Sequence, residues 1–172
     1  MFLLALLFAC SDTEKVDTNL QNLGECDIPV TELAMALNKE QREVSYTIEL
    51  ELSEMGISDN IIAAAIVNAV AESNLNPTAI GDGGRSVGTF QLNKFGLGHK
   101  LTVEQRVNTY TSANIIGVQI LKNRRLINLD EDGASIPKLT QVIVEDIMAP
   151  SDIEREKTIR AGLAKRMFPE RI

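Results

Sequence analysis

The amino-acid sequence predicts an α+β fold that is mostly helical and carries one small β-hairpin region. The length of 172 residues corresponds to about one domain, and 44% hydrophobic residues suffice for a core. Apolar residues recur at helical spacing, and one turn-rich segment, residues 76–92, interrupts the helices. The formal net charge is −7, without the basic footprint that nucleic-acid binding requires, so we predict no nucleic-acid partner.

The N-terminal region predicts an export signal followed by a tether. Residues 2–9 form an apolar run that is too short to span a bilayer but fits the core of a secretory signal peptide. Cys10 follows in a context that resembles a bacterial lipoprotein box, in which the Cys is lipidated after cleavage. This predicts a signal peptide over 1–9, a polar tether over 10–30 and a domain over 31–172. The alternatives are a start further upstream or a buried N-terminal segment.

A lipid on Cys10 would anchor the protein at the periplasmic face of a membrane. Ser11, directly after it, favours the outer membrane by the sorting rule of similar lipoproteins. The alternative locations are a virion, with the leader retained, or the medium outside the cell. Cys26 would be an unpaired thiol, with a Cys10–Cys26 disulfide as the competing possibility. The two Cys lack a nearby His, so neither a metal nor another cofactor is predicted.

Helical spacing and capping signals predict two helices before the turn-rich segment. Apolar residues recur from Leu33 to Met55, and Gly56 is the expected C-cap of this helix. Ser58 is the expected N-cap of a second helix, which ends before Pro77.

The rest of the domain is predicted as a hairpin followed by further helices. Asp82-Gly83 is a hairpin signal, and Val87–Leu92 is the expected short strand. The later elements are helices over Val103–Leu126 and Lys138–Met148, a loop over Asp130–Pro137, and a last helix from a Ser151 and Glu154 capping box to about Phe168.

Glu72, near the end of the second helix, is the candidate catalytic residue. At 100° per residue it lies about 20° from Ala65 and within about 60° of Ile61 and Ala69, so it ends an apolar stripe. Because burial disfavours a charged carboxyl, we expect a raised pKa and proton donation by Glu72 near neutral pH. The alternative is that the helix frays at Ala71 and Glu72 reaches solvent.

The turn-rich segment and the residues before it resemble the lysozyme-like superfamily. Residues 71–77 read AESNLNP, and residues 81–93 read GDGGRSVGTFQLN. In that superfamily a Glu-Ser pair closes a helix, and a Gly-x-x-Gln strand follows a short hairpin. The similarity is greatest to phage-tail-lysozyme-like and lytic transglycosylase domains, and the C-terminal helix with Arg160 also resembles the former. The resemblance spans residues 45–168 and implies a lysozyme-like fold whose hairpin flanks a cleft.

This resemblance implies an enzyme that cleaves the β-1,4 bond between N-acetylmuramic acid and N-acetylglucosamine in peptidoglycan. It would be a glycoside hydrolase or a lytic transglycosylase, with Glu72 as the general acid that protonates the leaving oxygen. The family's strand lines the cleft floor, so Ser86 and Gln91 would hold N-acetyl groups or a water. Gly88 would let sugar approach the backbone. For Ser86 and Gln91, ordinary strand positions are the alternative.

Asp82 and Tyr110 complete the candidate substrate site. Asp82 would orient a water from the hairpin or only shape the turn with Gly83. Lysozymes of the hen type carry a second carboxylate where this chain has Ser86. Tyr110 would hydrogen-bond Glu72, stack on a sugar ring or pack in the core. The competing functions are a catalytically inactive lipoprotein that binds cell wall or a partner, and a virion-associated phage lysin.

Overall fold

The computed structural model describes residues 37–169, so the predicted signal peptide, the tether, Cys10 and Cys26 lie outside the described residues. Within this range the chain forms seven α-helices and a three-stranded antiparallel sheet, which confirms the α+β class. None of these helices combines the length and the apolar character that crossing a bilayer requires. The elements are α1 Lys39–Glu54, α2 Asp59–Ser73, β1 Ile80–Gly81, β2 Ser86–Val87, β3 Leu92–Asn93, α3 Val103–Val107, α4 Thr109–Lys122, α5 Arg124–Glu131, α6 Ile136–Ile143 and α7 Ile153–Met167.

The boundary between α1 and α2 follows the capping residues that the sequence predicts. Gly56 has a φ of +78°, which suits glycine. The amide of the next residue, Ile57, donates a hydrogen bond to the Leu52 carbonyl in the last turn of α1 at 3.1 Å. This Schellman arrangement ends α1. The Ser58 side chain then accepts a hydrogen bond from the Ile61 amide and begins α2.

Helix α2 is the centre of the hydrophobic core. Residues 61–70 are all buried, and the helix packs against α1, α6 and α7. Each fully buried Ile or Val contributes about 1.5–3 kcal/mol, which explains why the middle of α2 is almost entirely apolar. The last turn of α2, which carries Glu72, therefore emerges from the core beside α7 and residue Thr89, which follows β2.

The sheet consists of three strands of two residues each, and the predicted strand Val87–Leu92 is wrong. β1 pairs with β2 and β2 pairs with β3, so that Val87 lies opposite Leu92. The residues between them form a turn, in which the Gln91 amide donates to the Gly88 carbonyl at 3.1 Å. Both residues have positive φ angles, +86° for Gly88 and +47° for Gln91, which a strand does not allow. The Gly-x-x-Gln motif is therefore a turn between two short strands.

Asparagine caps divide the single helix predicted over Val103–Leu126. The Asn108 side chain accepts a hydrogen bond from the Thr111 amide and begins α4. The Asn123 side chain accepts one from the Leu126 amide and begins α5. Because an Asn side chain competes for backbone amides, it favours the start of a new helix over the continuation of an old one.

The C-terminal helices also differ from their predicted bounds. The predicted loop Asp130–Pro137 is shorter in the structure, because α5 continues to Glu131 and α6 begins at Ile136. A π-helical turn, Val144–Met148, extends α6 to Ala149, which has a φ of +44°. The N-cap of α7 is Asp152, whose side chain accepts from the Arg155 amide at 3.2 Å, so the predicted cap at Ser151 is wrong by one residue.

Candidate active site

Glu72 lies in the last turn of α2, where the buried part of the helix ends. Its side chain is 18% exposed, so the carboxyl is partly withdrawn from water. The alternative in which the helix frays at Ala71 is wrong, because α2 continues to Ser73 and is capped by Asn74 in the left-handed conformation. Ser73 Oγ donates to the Thr89 carbonyl at 2.8 Å and ties the helix end to the turn between β2 and β3.

Burial raises the pKa of Glu72, as the sequence predicts. Desolvation of the carboxyl is the largest cause. The Arg160 guanidinium lowers the pKa of Glu72 through its charge and its hydrogen bond, and the carboxylates of Glu156 and Asp82 raise it through theirs. Since the net direction is upward, Glu72 keeps its proton to a higher pH than an ordinary glutamate.

Arg160 of α7 is a site residue whose role the sequence does not predict. Its Nη2 donates to Glu72 Oε1 at 2.8 Å, and its Nη1 donates to Asn68 Oδ1 at 3.0 Å. Its Nε donates to Glu156 Oε2 at 3.1 Å, and the Arg160 side chain is 4% exposed. The spacing of Glu156 and Arg160 on one helix predicts their pairing, but nothing local predicts the contact with Glu72.

Asp82 and Ser86 form a hydrogen-bonded unit on the hairpin. Ser86 Oγ donates to Asp82 Oδ2 at 2.5 Å and accepts from Asn93 Nδ2 at 3.0 Å. Asp82 is exposed, and its backbone carbonyl accepts from the Arg85 side chain at 2.9 Å. Asp82 therefore shapes the turn, as one alternative holds, and its carboxylate also acts electrostatically on Glu72. Its orientation of a water stays a prediction, as does sugar binding by the buried Ser86.

Gln91 and Gly88 have structural roles in the turn between β2 and β3. Gln91 Nε2 donates to the Ala79 carbonyl at 3.1 Å and to the Gly88 carbonyl at 2.9 Å. A Cβ added at Gly88 would collide with the Arg106 carbonyl oxygen, and the positive φ of Gly88 disfavours other residues. Packing therefore explains the glycine, and the binding of sugar by Gly88 and Gln91 stays a prediction.

Tyr110 of α4 lies near Glu51 of α1. The Glu51 carboxylate, as a hydrogen-bond acceptor and as a charge, raises the pKa of the Tyr110 phenol. Within residues 37–169 the hydrogen-bond partner of the Glu72 carboxyl is Arg160, so the predicted Tyr110–Glu72 hydrogen bond is wrong. Tyr110 is 52% exposed, which excludes core packing and leaves sugar stacking as a prediction.

The groups that the site offers are suited to acid–base chemistry and hydrogen bonding. In the part of the chain that the structure describes, no three His, Cys, Asp or Glu side chains converge as metal ligands. Glu72 supplies a carboxyl with a raised pKa, Asp82 supplies an exposed carboxylate, and Arg160 supplies a buried positive charge. Such a set can transfer a proton and stabilise the charge that remains.

Comparisons with known proteins do not identify a family. No family model matches the chain, and neither a curated protein nor a solved structure matches it. The assignment of function therefore depends on the residues around Glu72 and on their geometry.

Proposed function

We propose that this protein cleaves peptidoglycan glycan strands at the β-1,4 bond between N-acetylmuramic acid and N-acetylglucosamine, with Glu72 as general acid. The observation that carries the proposal is a partly buried carboxyl with a raised pKa at the end of α2, where this helix is bonded to the turn between β2 and β3. A lysozyme-like fold is part of the proposal. The motif of residues 71–93 supports it, since that motif brings the Glu-bearing helix end against the hairpin.

The hydrogen bond from Arg160 determines which oxygen of Glu72 carries the proton. Oε1 accepts from the Arg160 guanidinium, while Oε2 makes no hydrogen bond to another residue of the described range. A protonated Glu72 therefore has its O–H at Oε2. As the glycosidic C–O bond breaks, this proton passes to the leaving oxygen, and the bond's electron pair goes with that oxygen. Arg160 then stabilises the Glu72 carboxylate.

The second half of the reaction has two possible nucleophiles. A water gives a new reducing end, whereas the 6-hydroxyl of the substrate gives a 1,6-anhydro end. Asp82 is our candidate for orienting the water, because its carboxylate is exposed and is held by the Ser86 hydroxyl. Asp82→Asn should therefore reduce hydrolysis more than it reduces the formation of 1,6-anhydro ends, which depends on Asp82 only through its charge on Glu72.

The proposal places the enzyme at the periplasmic face of a membrane through a lipid on Cys10, with the outer membrane favoured. The acidic, mostly polar residues 11–32 would then be the tether between the lipid and the domain. Mass spectrometry of the exported chain tests the anchor. An acylated Cys10 at the N-terminus is expected. An intact leader with unmodified Cys10 would favour the virion-associated alternative.

Zymography on peptidoglycan tests the activity itself. Glu72→Gln removes the proton donor and should reduce clearing by about 10²–10⁴-fold, the usual contribution of a general acid. The matched control is Glu131→Gln, the same chemical change at the exposed last residue of α5, which should clear as the native chain does. A folded native chain that does not clear peptidoglycan would contradict the proposal and favour the inactive wall-binding alternative.

A further inference from the structure

We propose that Arg160 and Glu156 are positioning residues that orient the Glu72 carboxyl and set how readily it gives up its proton. The catalytic role of these two residues rests on the proposed function, whereas their hydrogen bonds to each other and to Glu72 do not depend on it. The three side chains form a chain of charge-assisted hydrogen bonds, Glu72–Arg160–Glu156, across α2 and α7.

The guanidinium of Arg160 is fixed from the core side. Asn68 is fully buried, and its Nδ2 donates to the Ala64 carbonyl at 2.8 Å and to the Thr140 carbonyl at 3.4 Å. These bonds turn Asn68 Oδ1 toward Arg160, which donates to it at 3.0 Å. Because Asn68 holds the guanidinium plane, Glu72 Oε1 receives its hydrogen bond from a fixed direction, and Oε2 is left for the substrate.

The charges around Arg160 favour the protonated form of Glu72. One buried guanidinium faces two carboxylates, so the cluster has a net negative charge when both are ionised. The Glu72 side chain is the less exposed of the two, at 18% against 29% for Glu156, so burial disfavours the charged form of Glu72. Protonation of Glu72 then leaves an Arg160–Glu156 ion pair of zero net charge.

Outside α7, one further charged group raises the pKa of Glu72. From the hairpin, the Asp82 carboxylate adds a further negative charge. Among the described residues of α1 and α6, which also pack against α2, no titratable group shifts the pKa of Glu72. Among the charged groups, Arg160 and Glu156 of α7 therefore have the largest effects on the pKa of Glu72, in opposite directions, while desolvation remains the largest single cause.

This balance predicts pKa changes of opposite sign for two neighbouring substitutions. Glu156→Gln removes a negative charge, so that Glu72 is the one carboxylate paired with Arg160, and the pKa of Glu72 should fall. Arg160→Gln removes the positive charge, so the pKa of Glu72 should rise. Arg160→Lys keeps the charge but cannot serve three acceptors from one fixed plane, so kcat/KM should fall about 10–100-fold with the fold retained.

Carbon-13 NMR titration of the Glu72 side-chain carboxyl tests the inference without requiring activity. The control is Glu154→Gln, which removes an exposed α7 carboxylate that pairs with Lys157 and should leave the Glu72 titration unchanged. An unchanged or higher midpoint in Glu156→Gln would overturn the inference, even if Arg160→Gln does not fold.

The NMR result and the activity result separate the two proposals. If the native chain fails to clear peptidoglycan but Glu156→Gln lowers the titration midpoint, the proposed function fails and the positioning geometry stands. If Glu72→Gln abolishes clearing but Glu156→Gln and Arg160→Lys change neither the titration nor the pH profile of clearing, the positioning inference fails and the proposed function stands.

Discussion

Glu49 of α1 should make the protein less stable as the pH rises toward neutrality. The residue is 6% exposed, and its Oε2 is buried without a hydrogen-bond partner among the described residues. Burial and, to a smaller extent, the nearby charge of Asp59 together raise the pKa of Glu49 from the ordinary 4.5 to about 7. The folded protein therefore holds a proton on Glu49 that the unfolded chain releases at lower pH.

The sign and size of the effect follow from this difference in pKa. Between pH 4.5 and about 7 the folded state binds more protons than the unfolded state, so the free energy of unfolding falls as pH rises. The interval is about 2.5 pH units, and about 1.4 kcal/mol per unit gives up to about 3 kcal/mol. This contribution is fully present below pH 4.5 and is lost above about pH 7.

Urea unfolding at pH 4.5 and pH 8, followed by circular dichroism, measures this effect. Glu49→Gln cannot ionise, so its loss of stability between the two pH values should be smaller than the native loss by up to about 3 kcal/mol. Glu72 contributes equally to both proteins and cancels from the comparison. The control is Glu40→Gln, an exposed position in the same helix, which should behave as the native chain. Equal losses for native and Glu49→Gln proteins would refute the reasoning.

Three further substitutions test the fold around the site by thermal or urea unfolding. Gly88→Ala should destabilise by more than about 1 kcal/mol, because of the positive φ and the collision with a backbone carbonyl; an unchanged Tm would contradict the turn. Ser73→Ala removes the hydrogen bond to the Thr89 carbonyl and should cost about 1 kcal/mol; no loss would mean that this bond is not formed in solution. Phe90→Ala should cost about 3–5 kcal/mol, since Phe90 is almost fully buried; a loss near zero would place Phe90 outside the core.

Local signals in the sequence predict the first half of the fold well. Gly56 ends α1 and Ser58 caps α2 through hydrogen bonds within one helical turn, so the boundary between the two helices lies where these residues predict it. The raised pKa of Glu72 also agrees with a local pattern, since Glu72 follows the buried apolar run of its own helix.

The remaining features depend on contacts that a local pattern does not contain. The Gly-x-x-Gln segment alternates as a strand does, but its packing against the Arg106 backbone forces a turn at Gly88. The spacing of apolar residues predicts that Asn108 and Asn123 lie inside one helix, but in the structure they are the N-caps of α4 and α5. Arg160 reaches Glu72 only because α7 packs on α2, which no pattern within α7 could indicate.

Mass analysis of the soluble products from purified peptidoglycan tests the central claim most directly. Glycan cleavage dependent on Glu72 predicts that the native chain releases disaccharide-peptides with new reducing ends or 1,6-anhydro ends, and that Glu72→Gln releases neither. If the native chain releases no such fragments, or if Glu72→Gln releases them at the native rate, the proposed role of Glu72 is contradicted.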